Sequence, residues 1–293
     1  MISYLELAAR GKNDWWRYAL ATVLGCIATI VIFAAVFVLL SLAHVLPSDF
    51  TTQMQQPTEP IVFFGAAALS FGSLLAGFAL AIKLFHRKRL RDVIGNWNWN
   101  LFLRGACIWV AVLCVGLLID FLLAPHSFTF AADAQTALLA ICALAGLSIQ
   151  TFCEEFVFRG YVTQGMLLAT KRPLFAALLS GLIFGALHIW NGVPQAVGAL
   201  FFGIVCSLIA IRTGTIAFTW GLHFANNYIG AVVVVSAADI FKTSPGILIQ
   251  NAPQLLWWDV AFSVAGLAVV LLLVESRSGP SFRFLYGALE REA

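Results

Sequence analysis

Cys153-Glu154-Glu155-Phe156-Val157-Phe158-Arg159 places three charges within six residues of a stretch otherwise composed for lipid. Residues 137–150 before it are almost wholly apolar, and residues 160–169 after it are mixed but uncharged. Near the middle of a bilayer an ionisable side chain costs roughly 2.5–3.5 kcal/mol on insertion scales, so such groups are rare and mostly functional. The plain alternative, a solvated loop between two spans, has to be weighed against the rest of the chain.

Composition fixes the broad class. The 293 residues are 61% hydrophobic and 11% charged, with a mean hydropathy of +0.92, well outside the range of soluble globular chains. A net charge of +3, scattered along the chain, gives no footprint for nucleic acid. All six cysteines lie in apolar segments and none forms a CxxC pair. They read as small buried hydrophobes, not as a disulfide or zinc framework. No signal-peptide cleavage site is evident after the polar, aromatic N-terminus, so the first apolar run is expected to be a retained helix.

Eight apolar segments stand out: roughly Tyr18–Leu46, Ile61–Phe85, Leu101–Ala124, Thr136–Leu168, Leu174–Trp190, Pro194–Ile211, Ile216–Val235 and Leu255–Val274. About 20 residues suffice to cross a bilayer, so the fourth is expected to tilt or to run beyond it. With the N-terminus inside, eight crossings put fifteen of the seventeen lysines and arginines in the cytoplasm, among them Arg283 and Arg291 near the C-terminus. Lys242 alone lies outside, and Arg159 lies within a span. That is a strong positive-inside bias, and Trp15, Trp16, Trp97, Trp99, Trp190, Trp257 and Trp258 fall near span ends as an interfacial belt. The expected fold is an all-α polytopic membrane protein of about eight transmembrane helices, with both termini cytoplasmic. Residues 1–293 form a single membrane domain, without an internal repeat of the kind transporters carry.

Away from the interfaces few strongly polar side chains remain. Glu154, Glu155 and Arg159 are on the fourth span, His188 on the fifth, and His223, Asn226 and Asn227 on the seventh. Glu155 and Arg159 are four apart, in the order that favours an ion pair on a helix face. Glu154 is turned away from Glu155 by about 100°, while His223 and Asn227 are four apart. Gly181 and Gly185 make a small-xxx-small surface for close helix contact, leading to His188. His44, His86 and His126 sit at span ends and read as interfacial bystanders. Taken singly, a buried histidine or an Asn pair is more often structural than catalytic. Their concentration on three of eight spans points to one intramembrane active site between spans four, five and seven.

Two hydrolytic schemes suit this set. In one, a carboxylate and a histidine hold and activate a water, while a second histidine and an amide donate to the oxyanion. In the other, Glu154, His188 and His223 are the His₂Glu ligands of a catalytic zinc ion. Asn227 suits an oxyanion donor better than a ligand, and neither histidine has an assured partner for its second ring nitrogen. These considerations favour the metal-free scheme and keep zinc as its rival. HExxH, GxGD and a GxSG elbow are absent from the sequence.

The three motifs resemble those of the CPBP family, which comprises type II CAAX prenyl endopeptidases and bacteriocin-processing or immunity proteins and is also called Abi. Its EExxxR is matched by Glu154-Glu155-Phe156-Val157-Phe158-Arg159, its FxxxH by Phe184-Gly185-Ala186-Leu187-His188, and its HxxxN by His223-Phe224-Ala225-Asn226-Asn227. The resemblance implies an intramembrane protease, glutamate-dependent or, as family names often have it, a metalloprotease. Residues 136–236 are then the catalytic core. It implies that Glu154 and His188 activate the water, that His223 and Asn227 stabilise the oxyanion, and that Glu155 and Arg159 support the site. The expected partners are the lipid bilayer and a peptide or lipidated-peptide substrate, in a bacterial inner (plasma) membrane. A proton-coupled transporter and a non-catalytic, immunity-type scaffold are the competing readings. No feature of the sequence assigns an oligomeric state.

Overall fold

The computed structural model describes residues 3–54, 59–237, 240–251 and 257–277. The expected tail cations Arg283 and Arg291 and the expected span start at Leu255 lie outside the described residues. The helices are α1 (Tyr4–Ala9), α2 (Trp15–Leu42), α3 (Phe50–Gln53), α4 (Pro60–Ala81), α5 (Leu90–Ile94), α6 (Trp99–Leu123), α7 (Ala134–Glu155), α8 (Gln164–Thr170), α9 (Pro173–Leu187), α10 (Val193–Thr213), α11 (Ala217–Tyr228) and α12 (Trp257–Arg277). Short π-helical stretches extend α4 (Ile82–His86), join α7 to α8 (Phe156–Thr163) and extend α11 (Ile229–Val233).

Among the described residues each of the eight apolar segments falls mainly on helix, the seventh running at its end into a short strand. Six helices among the described residues are long and apolar enough to cross a membrane: Trp15–Leu42, Pro60–His86, Trp99–Leu123, Ala134–Thr170, Val193–Thr213 and Trp257–Ser276. The fifth and seventh expected segments are shorter, α9 having 15 residues and α11 having 12. Chain chemistry ends the helices where the sequence suggested. Pro173 opens α9 behind Lys171, which takes a left-handed φ of 54°, and Gly214 closes α10 at φ 70°. The 37 residues from Ala134 to Thr170 form one helical rod, about 55 Å long at ~1.5 Å per residue and far longer than the hydrocarbon layer.

This rod is the centre of the fold. It packs against α4 and α11, and its π-helical middle lies against α9 and α10. Close helix approach depends on glycine. Gly181 and Gly185 face α10, where an added Cβ would come within 2.9 Å of the Leu200 and Ala196 carbonyl oxygens. Gly105 and Gly221 hold α6 on α11 still more tightly, since a Cβ at either would collide with a backbone carbonyl of the other helix, Phe218 and Phe102 respectively.

The expectation of an all-α chain needs one correction. Phe128–Phe130 (β1), Val234–Ser236 (β2) and Leu248–Gln250 (β3) form a small sheet in the order β1-β3-β2. β1 pairs antiparallel with β3 and β2 parallel, with Ile249 opposite both Thr129 and Val235. Three-residue strands in connecting segments leave no period in the sequence to detect.

Two further expectations are corrected. Cys26, Cys107 and Cys114 are exposed, Cys26 bordering an internal cavity, and only Cys153 and Cys206 are buried; an exposed helix face in lipid is as apolar as a core, so hydropathy does not separate the two. His86 is no bystander: it is fully buried, bonded through Nδ1 to the Lys12 carbonyl at 2.8 Å and through Nε2 to the Tyr161 hydroxyl at 3.0 Å. The polar N-terminus folds back as α1. Tyr4 donates its hydroxyl to the Arg159 carbonyl at 2.6 Å, Lys88 donates to the Ala8 carbonyl at 2.8 Å, and Arg10 pairs with Asp92 at 2.7 Å. Burial pushes the Lys88 amine down to about 8, against the opposing pull of Asp92.

The α6–α11 contact gives a direct check on this packing. Gly221→Leu should lower the melting temperature in detergent by many degrees, because no side chain fits between the two backbones. Gly65→Ala, where an added Cβ meets nothing within 4 Å, should leave it unchanged or slightly raised.

Candidate active site

The three motifs, up to 73 residues apart in sequence, meet on the central rod. α7 ends at Glu155, and the helix widens to π geometry from Phe156 to Thr163, a distortion that recurs at functional sites. Glu155 and Arg159 are both fully buried, with Arg159 Nη1 3.1 Å from Glu155 Oε1. The pair is close without the alignment of a hydrogen bond. The guanidinium lies 4.5 Å from the Phe184 ring centre and 5.5 Å from that of Phe202, within cation–π range.

His223, from α11, stands between the two glutamates. Its Nδ1 is 2.8 Å from Glu155 Oε1 and its Nε2 is 3.4 Å from Glu154 Oε2. The rotation of about 100° between these neighbouring carboxylates is matched by the two ring nitrogens, which open in different directions. A carboxylate only accepts, so the short contact places the proton on Nδ1. A neutral His223 then presents an acceptor toward Glu154.

His188 follows the C-terminal end of α9 and is half-buried. Its Nδ1 is 2.7 Å from the Phe184 carbonyl, which can only accept, so Nδ1 carries the proton and Nε2 is an acceptor in the neutral ring. Phe184 thereby explains its own place in FxxxH: its ring faces Arg159 and its carbonyl orients His188. The structure supplies both histidines with the partner for a second ring nitrogen that the sequence did not reveal.

Asn227 Nδ2 donates to Gln150 Oε1 at 3.0 Å, and Gln150 Nε2 donates to Glu154 Oε1 at 2.8 Å. Gln150, Phe202 and Trp109 were not among the expected site residues, whereas Phe184 was marked by FxxxH without a role. Gln150 was within reach of the sequence, since it sits four residues before Glu154 on the same helix face; the others depend on tertiary packing. Glu154, His188, His223, Asn226 and Asn227 border one cavity of about 680 Å³, whose remaining walls include Phe63, Phe64, Phe71 and Phe78. Glu155 and Arg159 stand behind it. Among the described residues no three His, Cys, Asp or Glu side chains are grouped to hold a metal ion. The zinc ligands expected as the rival set, Glu154, His188 and His223, are thus not gathered around one point in this arrangement.

Arg159→Ala should leave Glu155 buried without its cation, at a cost of about 3–5 kcal/mol. Thermal unfolding in detergent should show a large drop in melting temperature. An unchanged melting temperature would mean that the pair does not hold the site together.

Residues 135–229 match the family model for type II CAAX prenyl endopeptidase Rce1-like proteins. Along most of its length the chain is also similar to the uncharacterized protein YyaK of Bacillus subtilis (strain 168). That protein is 28% identical over 278 residues, covering 87% of this chain and 89% of the relative. No solved structure gives a significant match. The segment carrying EExxxR, FxxxH and HxxxN is thus similar to the Rce1-like type II CAAX prenyl endopeptidase family, the resemblance its motifs had suggested.

Proposed function

We propose that this protein is an intramembrane endopeptidase that hydrolyses a peptide bond with a water activated by Glu154 and His188. The carrying observation is that Glu154, His188, His223 and Asn227 border one cavity whose other walls are largely apolar. Such a cavity suits a peptide delivered from the membrane, of CAAX type or a related lipidated or membrane-associated kind. The family match of residues 135–229 supports the same class of reaction, and neither the transport reading nor the scaffold reading draws support from it.

The chemistry follows from the donors and acceptors. Glu154 Oε2 and the Nε2 of neutral His188 are acceptors that hold the two hydrogens of one water. Glu154 takes a proton as the water oxygen bonds to the scissile carbonyl carbon. The resulting oxyanion receives the second N–H of Asn227, the first being given to Gln150. His223 joins it once its Nε2 is protonated, and Glu154, 3.4 Å away, can supply that proton. The carbon–nitrogen bond then breaks as that same proton passes from His223 Nε2 to the departing amine, which returns Glu154 to the carboxylate and His223 to the neutral ring. Glu155 and Arg159 hold His223 and the helix in place.

In this reading residues 136–236 are the catalytic core of a single membrane domain that crosses the bacterial inner membrane eight times. Both termini are cytoplasmic, as the distribution of lysine and arginine favours. The two short helices α9 and α11 complete their crossings with the turns that follow them.

Purified protein in detergent, incubated with a peptide library and read by mass spectrometry, should yield defined cleavage products. Glu154→Gln and His188→Ala should each lose about 10²–10⁴ in rate while remaining folded. Activity within a few-fold of the unmodified protein in either variant would remove that residue from the water-activating pair.

A further inference from the structure

Trp109, on α6, belongs to none of the three motifs, yet its indole reaches the site. Trp109 Nε1 donates to Asn226 Oδ1 at 3.0 Å, Asn226 Nδ2 to Asn227 Oδ1 at 3.1 Å, Asn227 Nδ2 to Gln150 Oε1 at 3.0 Å, and Gln150 Nε2 to Glu154 Oε1 at 2.8 Å. The chain begins at a group that only donates and ends at one that, ionised, only accepts. Three amides in series between such ends have a single consistent orientation. Reversing any one of them sets oxygen against oxygen or N–H against N–H.

We propose that Trp109, Asn226 and Gln150 are positioning residues that act through Asn227 and Glu154. The inference rests on the hydrolytic reading above and adds three residues that the motifs do not specify. The relay does two things. It fixes the face of the Asn227 amide, so that one N–H is spent on Gln150 and the other is left for the cavity. It also occupies Glu154 Oε1, leaving Oε2, which faces His223, as the oxygen that takes the proton. The tight α6–α11 contact at Gly105 and Gly221 brings Trp109, one helical turn beyond Gly105, within reach of Asn226.

The test is N226D, which keeps the size and shape of the side chain. The introduced carboxylate still accepts from Trp109 but has nothing to donate to Asn227, so the relay reverses or breaks. We expect kcat to fall about 10- to 100-fold, as when an orienting partner is lost, with KM unchanged. On lowering the pH the introduced carboxyl takes up a proton and can again donate. The ratio of unmodified to N226D kcat should therefore shrink. Glu154, His188, His223 and Asp259 border the same cavity and titrate in both proteins, so the ratio carries the test. A deficit that does not change with pH, or no deficit, would overturn the proposal. If the unmodified protein cleaves no peptide, the hydrolytic reading fails by itself and the relay is read by NMR. The Trp109 indole N–H resonance, assigned by its loss in W109F, should move in Q150L, a variant three hydrogen bonds along the chain. A resonance unaffected by Q150L would overturn the relay.

Discussion

An imidazole held between two carboxylates is the constraint on which the rest of the site depends. His223 makes contacts of 2.8 Å to Glu155 and 3.4 Å to Glu154, and these tie α11 to the central rod at the point where it widens. Glu155 is fully buried and is itself paired with Arg159, whose guanidinium lies against Phe184 and Phe202. Buried charges persist only when each has its counter-charge and its donors. Once Glu155 is inside, Arg159, His223 and Phe184 have little freedom to be elsewhere, and His188 follows from the Phe184 carbonyl.

The fold serves this arrangement from several sides. Gly105 and Gly221 let α6 and α11 touch backbone to backbone, which brings Trp109 toward the asparagine pair. α1 closes the opposite side of the rod, with Tyr4 bonded to the carbonyl of Arg159 within the π-helix. A widened helix leaves its carbonyls less regularly satisfied, and Tyr4 supplies a donor there. The N-terminal segment thus bears on the residue that carries the site's one buried guanidinium among the described residues.

Much of this was legible in the sequence because lipid makes ionisable residues conspicuous. Glu154, Glu155, Arg159, His188 and His223 stood out against apolar surroundings, and the spacing of four correctly joined Glu155 to Arg159. What stayed hidden has a common cause. Trp109 and Phe202 look like any lipid-facing aromatic until their neighbours are known, and hydropathy does not distinguish a lipid-facing cysteine from a buried one. His86 was set aside by its place at a span end, which says nothing of what folds over it. The partition of His223 between two glutamates was hidden too, since helical spacing alone sends Glu154 and Glu155 in different directions. The three-residue strands carry no pattern at all.

The most direct measurement of the central claim is the ring-nitrogen NMR spectrum of ¹⁵N-histidine-labelled protein, with His223 assigned by its substitution. The account predicts a protonated Nδ1 on His223, hydrogen-bonded, whose resonance moves strongly in Glu155→Gln. An unprotonated Nδ1 in the unmodified protein, or a His223 spectrum indifferent to Glu155, would contradict it.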